Sequence, residues 1–406
     1  MFQKRGSENL LSRGKFLMAI TTLVGTIVGA GILGIPYVVA KAGLLYGLLL
    51  ILTIGIGFIF LNLFAGEFIL RTKEQHQLTG YAEKYLGKKG KMVMAFSLIF
   101  SIYGALTAYL IGEGATINSI ITTLFGKGSG INIFSLPAEL IYSLLFFVVA
   151  FLIIFHGIKA AGKTELILIS LLTLVVIFIS IFSYNKVNYN NFSLFNPAYF
   201  FMPYGIIIFA FLASPAIPEV QEVLGKNKKL MKRTIIIGSI IPIVLYLLFA
   251  FSVSLVVGLG NFELLQPNER IATIALSLYS HPFLGVAANL LAVLAMFTSF
   301  LTLGIALIEV YHYDYKLPLS LSMLLTFSLP LLIVIFNLTS FIIILGLTGA
   351  IAGGLDGIMI ILMYWKSKVL GNRKPEYTLK PHRVLGTAFI ILLSLGIIYQ
   401  IWINFF

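Results

Sequence analysis

The chain has 406 residues, 59% of them hydrophobic and only 11% charged, less than half of the roughly 25% charged found in soluble domains. That composition excludes a soluble domain and implies an all-α polytopic membrane protein. Net charge is +13, but the Lys and Arg fall in short clusters between apolar runs, which orients a chain in a bilayer and does not suit a nucleic-acid partner. Cysteine is absent, so disulfides, thiol catalysis and thiolate metal sites are excluded.

The first apolar stretch, residues 16 to 42, is uncharged from Phe16 to Ala40, long enough to cross a bilayer, which takes roughly 20 residues. Its middle is a poor helix. Gly25, Gly29, Gly31 and Gly34 each weaken helical backbone by about 1 kcal/mol relative to Ala, and Pro36 lacks the N–H an interior turn uses. A break at membrane depth survives only where it is buried in protein or lines a cavity. Something polar is therefore expected at Gly29, Ala30 and Gly31. Residues 29–34 also match the dinucleotide pattern G-x-G-x-x-G, yet no strand precedes them and position 54 is Ile where that motif requires an acid. A signal peptide is excluded because the apolar stretch exceeds an h-region.

Segments long enough to span recur eleven times, at about 16–41, 43–70, 92–124, 135–157, 161–183, 198–224, 233–258, 283–312, 318–336, 339–364 and 384–405. With the N-terminus inside, 24 of the 28 basic residues fall on the cytoplasmic side; the positive-inside rule then places the C-terminus outside after eleven crossings. Loop 71–91 holds Leu78, Tyr81, Ala82 and Tyr85 at helical spacing among charges, as in a short interfacial helix. Residues 267–280 read as an amphipathic outer stretch, and Asn191 and Asn337 head sequons on the expected outer side.

The sixth segment carries a second anomaly, Phe209 to Glu219 (FAFLASPAIPE). Two prolines three apart after small residues predict a helix that stops near Leu212 and restarts with Pro215 in its first turn, where proline is tolerated. The first and sixth segments each open a five-helix set, and because five is odd the two sets insert with opposite topology. Interrupted helices at matching positions of inverted halves are the best sequence pointer to a transporter's midplane site. The expected organisation is a cytoplasmic tail (1–15), a first repeat (16–183), a second repeat (184–364), and a cytoplasmic loop with helix 11 (365–406).

Four stretches carry a family resemblance: Thr26 to Tyr37 (TIVGAGILGIPY), Ala65 to Arg71 (AGEFILR), Leu106 to Gly112 (LTAYLIG) and Phe209 to Glu219. Together they resemble the amino acid/auxin permease family and its bacterial aromatic amino acid permease relatives, over about residues 15–360. The resemblance implies the LeuT-type fold of the APC superfamily, a 5+5 inverted repeat with helices 1 and 6 broken, and cation-coupled import of an amino acid across a cell membrane. Within that frame, freed N–H groups near Gly31 and Ile32 form a positive dipole end suited to an α-carboxylate, and carbonyls near Phe209 and Ala210 suit an α-ammonium. Gly29, Ala30 and Ala213 leave room; Phe209, Phe211 and Tyr103 or Tyr109 are candidate pocket walls.

Resemblance to sodium-coupled relatives implies a five-oxygen sodium site from the backbone of Gly25, Val28 and Ala295 and the hydroxyls of Thr298 and Ser299. The competing possibility is that these hydroxyls bond back to their own helix. Proton coupling is the alternative to sodium, since intramembrane ionisable groups default to function; the candidates are Glu113, Glu309 and Asp356. Glu67, near the cytoplasmic end of helix 2, is expected to reach water and be structural. No lysine occurs from Leu166 to Phe182, where some proton-coupled relatives place one. No cofactor is expected, and membrane lipid and an amino acid are the expected partners. An enzyme is not, because neither H-E-x-x-H nor G-x-S-x-G occurs. A non-transporting amino acid sensor shares the fold.

Overall fold

The computed structural model describes residues 2–126, 136–156, 174, 176–179, 181, 184–280 and 282–405, the side chains of 2–12, 282 and 405 excepted. Its helices are α1 (Phe2–Ile27), α2 (Gly31–Ala42), α3 (Leu44–Leu70), α4 (Leu78–Phe125), α5 (Ala138–Phe155), α6 (Met202–Phe211), α7 (Ala216–Leu224), α8 (Met231–Val257), α9 (Leu259–Leu264), α10 (Ala272–Tyr279), α11 (Pro282–Glu309), α12 (Leu319–Ile335), α13 (Phe341–Thr348), α14 (Gly354–Leu370) and α15 (Arg383–Phe405). No strand occurs among the described residues, as a bilayer demands of a chain that is not a barrel.

Eight helices among the described residues are long and apolar enough to cross a membrane, and a ninth span is the pair Arg13–Ile27 and Gly31–Ala42, bent by 54°. Of the two further spans the sequence predicts, α12 is a shorter apolar helix of 17 residues, and 161–183 lies largely outside the described residues. The expected count of eleven therefore rests on the sequence for those two.

Packing sorts the helices into two groups. In one, α1 packs on α7 and α8, α2 on α3, α6 and α8, and α3 on α8. In the other, α4 packs on α5, α11 and α12, and α11 on α12. Between them run α13, which packs on both α4 and α6, and α14, which packs on α4 and α3. The α10 helix touches α2 and α8 on one side and α4 and α11 on the other. It is buried from Ala272 to Ser277, so this part of the 267–280 stretch, expected as an amphipathic outer stretch, is an internal wedge between the groups, while 267–270 and Leu278 keep access to the outside.

Glycine sets two of the junctions. At Gly43, φ is +101° and a Cβ would come within 2.6 Å of the Phe195 backbone, so only glycine allows the immediate turn from α2 into α3. At Gly87, φ is +73° inside α4. The residues before it form the short helix expected in loop 71–91, with Leu78, Tyr81, Ala82 and Tyr85 all buried against the protein.

The end of the molecule that carries most basic residues is closed by a strap, residues 371–382, folded across α3 and α14. Glu67 anchors it. Its carboxylate accepts from Arg71 Nε at 2.8 Å and Leu379 N at 2.7 Å, and pairs with Lys368 Nζ. The Tyr377 hydroxyl donates to Leu63 O at 2.6 Å and Arg373 Nη1 to Leu70 O at 2.7 Å. Glu67 is fully buried, so the water access expected for it is absent, and its carboxylate is held by these protein partners instead. The reason is that the strap, distant in sequence, covers it. Nearby, the hydrogen bond from Lys84 Nζ at 2.6 Å, aided by Asn372, holds exposed Glu74 down to about 2.

Glu67→Gln removes the charge facing Lys368 and Arg71. Losing one member of a buried pair costs about 3–5 kcal/mol; both cations keep partial access to water, so about 2 kcal/mol is expected, read as a lower melting temperature in detergent. Glu74→Gln is the comparator and is expected to leave melting at neutral pH nearly unchanged. Because the Glu74 folded-state pKa is depressed, its ion pair is complete above the ordinary carboxylate range and is lost only as pH falls through about 2. Carboxyl-carbon NMR of Glu74 checks that midpoint.

Candidate functional site

Both predicted breaks are present. The α1 helix ends at Ile27, with Val28 N bonded to Val24 O at 2.8 Å and Gly29 N to Ile27 O at 3.0 Å. The α2 helix opens at Gly31 with no side chain capping it, and its first turn is loose, Ile32 N reaching Gly29 O only at 3.4 Å. In the sixth segment α6 ends at Phe211, Leu212 is extended, and α7 starts at Ala216 with Pro215 at its N-cap. Leu212 N bonds Phe209 O at 3.2 Å and Ala216 N bonds Ala213 O at 3.0 Å.

The breaks meet. A Cβ at Gly31 would lie 2.7 Å from Ala210 Cα and 2.8 Å from Ala210 Cβ, whereas one at Gly29 would have nothing within 4 Å. Two glycines that look equivalent in sequence thus have different roles: Gly31 lets the two interrupted helices touch, and Gly29 faces open space. Tyr246, on α8 and buried, completes the junction. Its Oη lies 2.6 Å from Ile27 O and 2.9 Å from Ala210 O, so one phenol serves carbonyls at the ends of α1 and α6 that helix bonding has released. The second break is also tied to α14, where the Ser214 hydroxyl donates to Asp356 Oδ2. Just before α14, residues Gly349–Gly353 form a π-helical turn. Gly349 packs against Gly205 O and Phe209, and such widened turns are frequent at functional sites.

The remaining expected site residues divide by location. Ala30, Ile32, Ala210 and Ala213 are buried at the two breaks, and Phe209 is half-buried beside them. Phe211 points into the first helix group, 6.2 Å from the Phe58 ring and 5.0 Å from that of Tyr246. Tyr109 is buried on α4. Tyr103 is committed elsewhere, its Oη 2.7 Å from Tyr311 Oη and donating to Leu325 O at 2.9 Å, which joins α4 to α12.

The five expected cation ligands lie on helices that do not form a packed pair among the described residues: Gly25 and Val28 at the end of α1, Ala295, Thr298 and Ser299 on α11. Thr298 Oγ1 bonds within its own helix, to Leu294 O at 3.2 Å and Ala295 O at 3.1 Å. Of the three carboxylates, Glu309 is exposed at the end of α11 and Asp356 is bonded to Ser214. Glu113, fully buried on α4, has no hydrogen-bond partner for either oxygen among the described residues. Thr116, Thr273 and Asn289 each keep one unpartnered side-chain oxygen, while Asn289 Nδ2 reaches Ser119 Oγ at 3.3 Å.

Sequence reading missed Tyr246 and Ser214. The available signal was a tyrosine hydroxyl in the apolar segment 233–258, since such a group usually finds a partner when buried.

The family model of the tryptophan/tyrosine permease family matches residues 12–403. The chain belongs to the tryptophan/tyrosine permease family. That name replaces the amino acid/auxin permease family to which the motifs were compared, and it makes the chain a multi-pass membrane permease and not an enzyme. Tyrosine-specific transport system 1 of Haemophilus influenzae is 24% identical over 394 residues, 93% of each chain. Tyrosine-specific transport system 2 of the same organism is 26% identical over 387 residues, 92% of this permease and 91% of the relative. Glutamine transporter 2 of Aliivibrio fischeri is 27% identical, covering 81% and 83%. The crystal structure of MhsT in complex with L-phenylalanine superposes with TM-score 0.65 at 15% identity, over 96% of this permease and 98% of MhsT, which places the permease in the same fold.

Two substitutions separate the roles of the glycines. Gly29→Leu is expected to leave a monodisperse, thermally normal permease that no longer transports, because the side chain enters open space. Gly31→Leu is expected to lose the folded protein by gel filtration, because Ala210 backbone blocks it. Tyr246→Phe leaves the buried Ala210 carbonyl short of a donor, while Ile27 O keeps Gly29 N, and is expected to cost about 1–3 kcal/mol, measured by thermal melting.

Proposed function

We propose that the permease is a secondary active transporter that imports an aromatic L-amino acid by alternating access, in a cell membrane, with its N-terminus in the cytoplasm and its C-terminus outside. The observation that carries this reading is the pair of broken helices in contact, joined through Tyr246, with Gly29 facing open space beside them. Amides at the uncapped start of α2 suit the α-carboxylate, and carbonyls at the end of α6 suit the α-ammonium. Half-buried Phe209 is a wall for the side chain. The tyrosine relatives support the aromatic class, and the glutamine relative indicates that the walls, more than the backbone niche, select the side chain.

The distribution of basic residues makes the strap end cytoplasmic. Among the described residues α1 and α11 form no packed pair, while α10 touches helices of both groups. This supports an inward-facing arrangement, in which one group has rocked away from the other.

Protons are the coupling ion that this arrangement favours. Glu113 is a buried acid without a partner among the described residues, and intramembrane ionisable groups without a structural partner mark ion pathways, so it is the group we assign to carry the proton. Sodium is the second reading. It requires α1 and α11 to approach until Gly25, Val28, Ala295, Thr298 and Ser299 surround one ion, with Thr298 turned away from its own helix.

In proteoliposomes, tyrosine or tryptophan accumulation is expected under an acid-outside pH gradient without sodium. Glu113→Gln should reduce accumulation by about tenfold or more, roughly 1.4 kcal/mol of lost coupling, while substrate exchange without a gradient persists. Accumulation driven by sodium alone and lost in Thr298→Ala/Ser299→Ala would move the coupling to the five-oxygen site. Binding with no accumulation under either gradient would make the protein a sensor.

A further inference from the structure

Beside the strap, the end of α14, the start of α15 and the short Leu78–Leu86 part of α4 enclose a groove of about 440 Å3. Its walls include Leu86, Leu362, Trp365 and Val369, and its rim carries Lys366 and Arg383. The position is a bilayer boundary. The last turn of one spanning helix and the first of the next lie side by side, and their outward residues Val369, Val384 and Leu385 are largely exposed and apolar. Tryptophan at this level is typical of the membrane–water interface.

Some cations at this end are paired, while others, Lys88, Lys89, Lys374 and Lys380 among them, are exposed without an ion pair among the described residues; the two on the rim are of the second kind. Arg71, Lys84, Lys91, Lys368 and Arg373 each face a carboxylate. Lys366 and Arg383 are exposed, and among the described residues neither side chain has an acidic or hydrogen-bonding partner. The groove therefore offers an apolar trough that opens toward hydrocarbon and ends at two uncompensated positive charges. A zwitterionic lipid would match the trough but leave the charges unneutralised. An anionic lipid matches both.

We infer that this groove binds one anionic phospholipid, its phosphate between Lys366 and Arg383 and an acyl chain along Leu86, Leu362 and Trp365. The site is independent of the substrate pathway and stands whether or not the transport reading does. It ties α4, α14 and α15 together at the membrane surface, adding a lipid to the contacts that close this end.

Trp365 and Trp402 are the two tryptophans of the chain, so Trp402→Phe leaves one reporter in the groove. Two cations near the surface favour an anionic headgroup by roughly thirtyfold. In nanodiscs of phosphatidylcholine, a minor fraction of acyl-brominated phosphatidylglycerol is therefore expected to quench Trp365 fluorescence strongly, and the same fraction of brominated phosphatidylcholine only weakly. Lys366→Gln with Arg383→Gln should erase the difference, and Lys232→Gln with Arg233→Gln, the same charge loss elsewhere on this end, should preserve it. Equal quenching by the two brominated lipids in the otherwise unaltered protein would overturn the proposal. So would an equal loss of the difference in the Lys232/Arg233 variant, which would mean general surface attraction.

Discussion

A backbone carbonyl released inside a membrane must find a donor, and the one phenol proton of Tyr246 is shared between the ends of two helices, supplying Ala210 O and adding to the Gly29 amide at Ile27 O. Its oxygen lies within 2.9 Å of both Ile27 O and Ala210 O. Each unmade hydrogen bond in this setting costs several kcal/mol, so the interruption of α1 and that of α6 support each other through one side chain from α8. Close approach is the other half of the constraint. Gly31 against Ala210 brings the two broken segments together with no side chain between them, while Ser214 and Asp356 tether the second interruption to α14.

Around this junction the molecule is two bodies more than one. The group containing α1, α2, α3, α6, α7 and α8 is internally packed, as is the group of α4, α5, α11 and α12. Contact between them runs mainly through α10, α13 and α14. Such a division suits rocking of one bundle against another, because packed cores move as units and do not deform continuously. The glycines of α6 and the π-helical turn fit the same logic: Gly205, Gly349 and Gly353 each bring backbone or a branched side chain from the facing segment into direct contact.

Both interruptions were legible in the sequence because glycine and proline act locally: Gly29 and Gly31 lie at the first break and Pro215 at the restart after the second, whereas Pro36, also expected to weaken the first helix, sits inside α2 without breaking it. The short helix before Gly87 was legible from a different local signal, the helical spacing of Leu78, Tyr81, Ala82 and Tyr85 among charges. Long-range partners were not. Nothing near Tyr246 points to Ile27, 219 residues away, nor anything near Ser214 to Asp356. Apolar spacing also cannot separate a pocket wall from a core: Phe211 is stacked inside a helix group, Tyr103 is spent on Tyr311 and Leu325, and α10 is internal although its pattern reads as a surface stretch. Thr298 illustrates the limit for ligands, since the same hydroxyl serves an ion or its own helix with identical sequence around it.

The anchoring of the strap has a consequence for how the chain is made. Glu67 and the Leu379 amide it accepts from are 312 residues apart, which at a synthesis rate of about 5–20 residues per second separates their emergence by roughly 15–60 s. During that interval the carboxylate at the end of α3 has only Arg71, one turn later, to neutralise it. The local Glu67–Arg71 pair is thus a temporary companion for a charge whose lasting partners arrive near the end of translation, and the final loop acts as the latch of assembly.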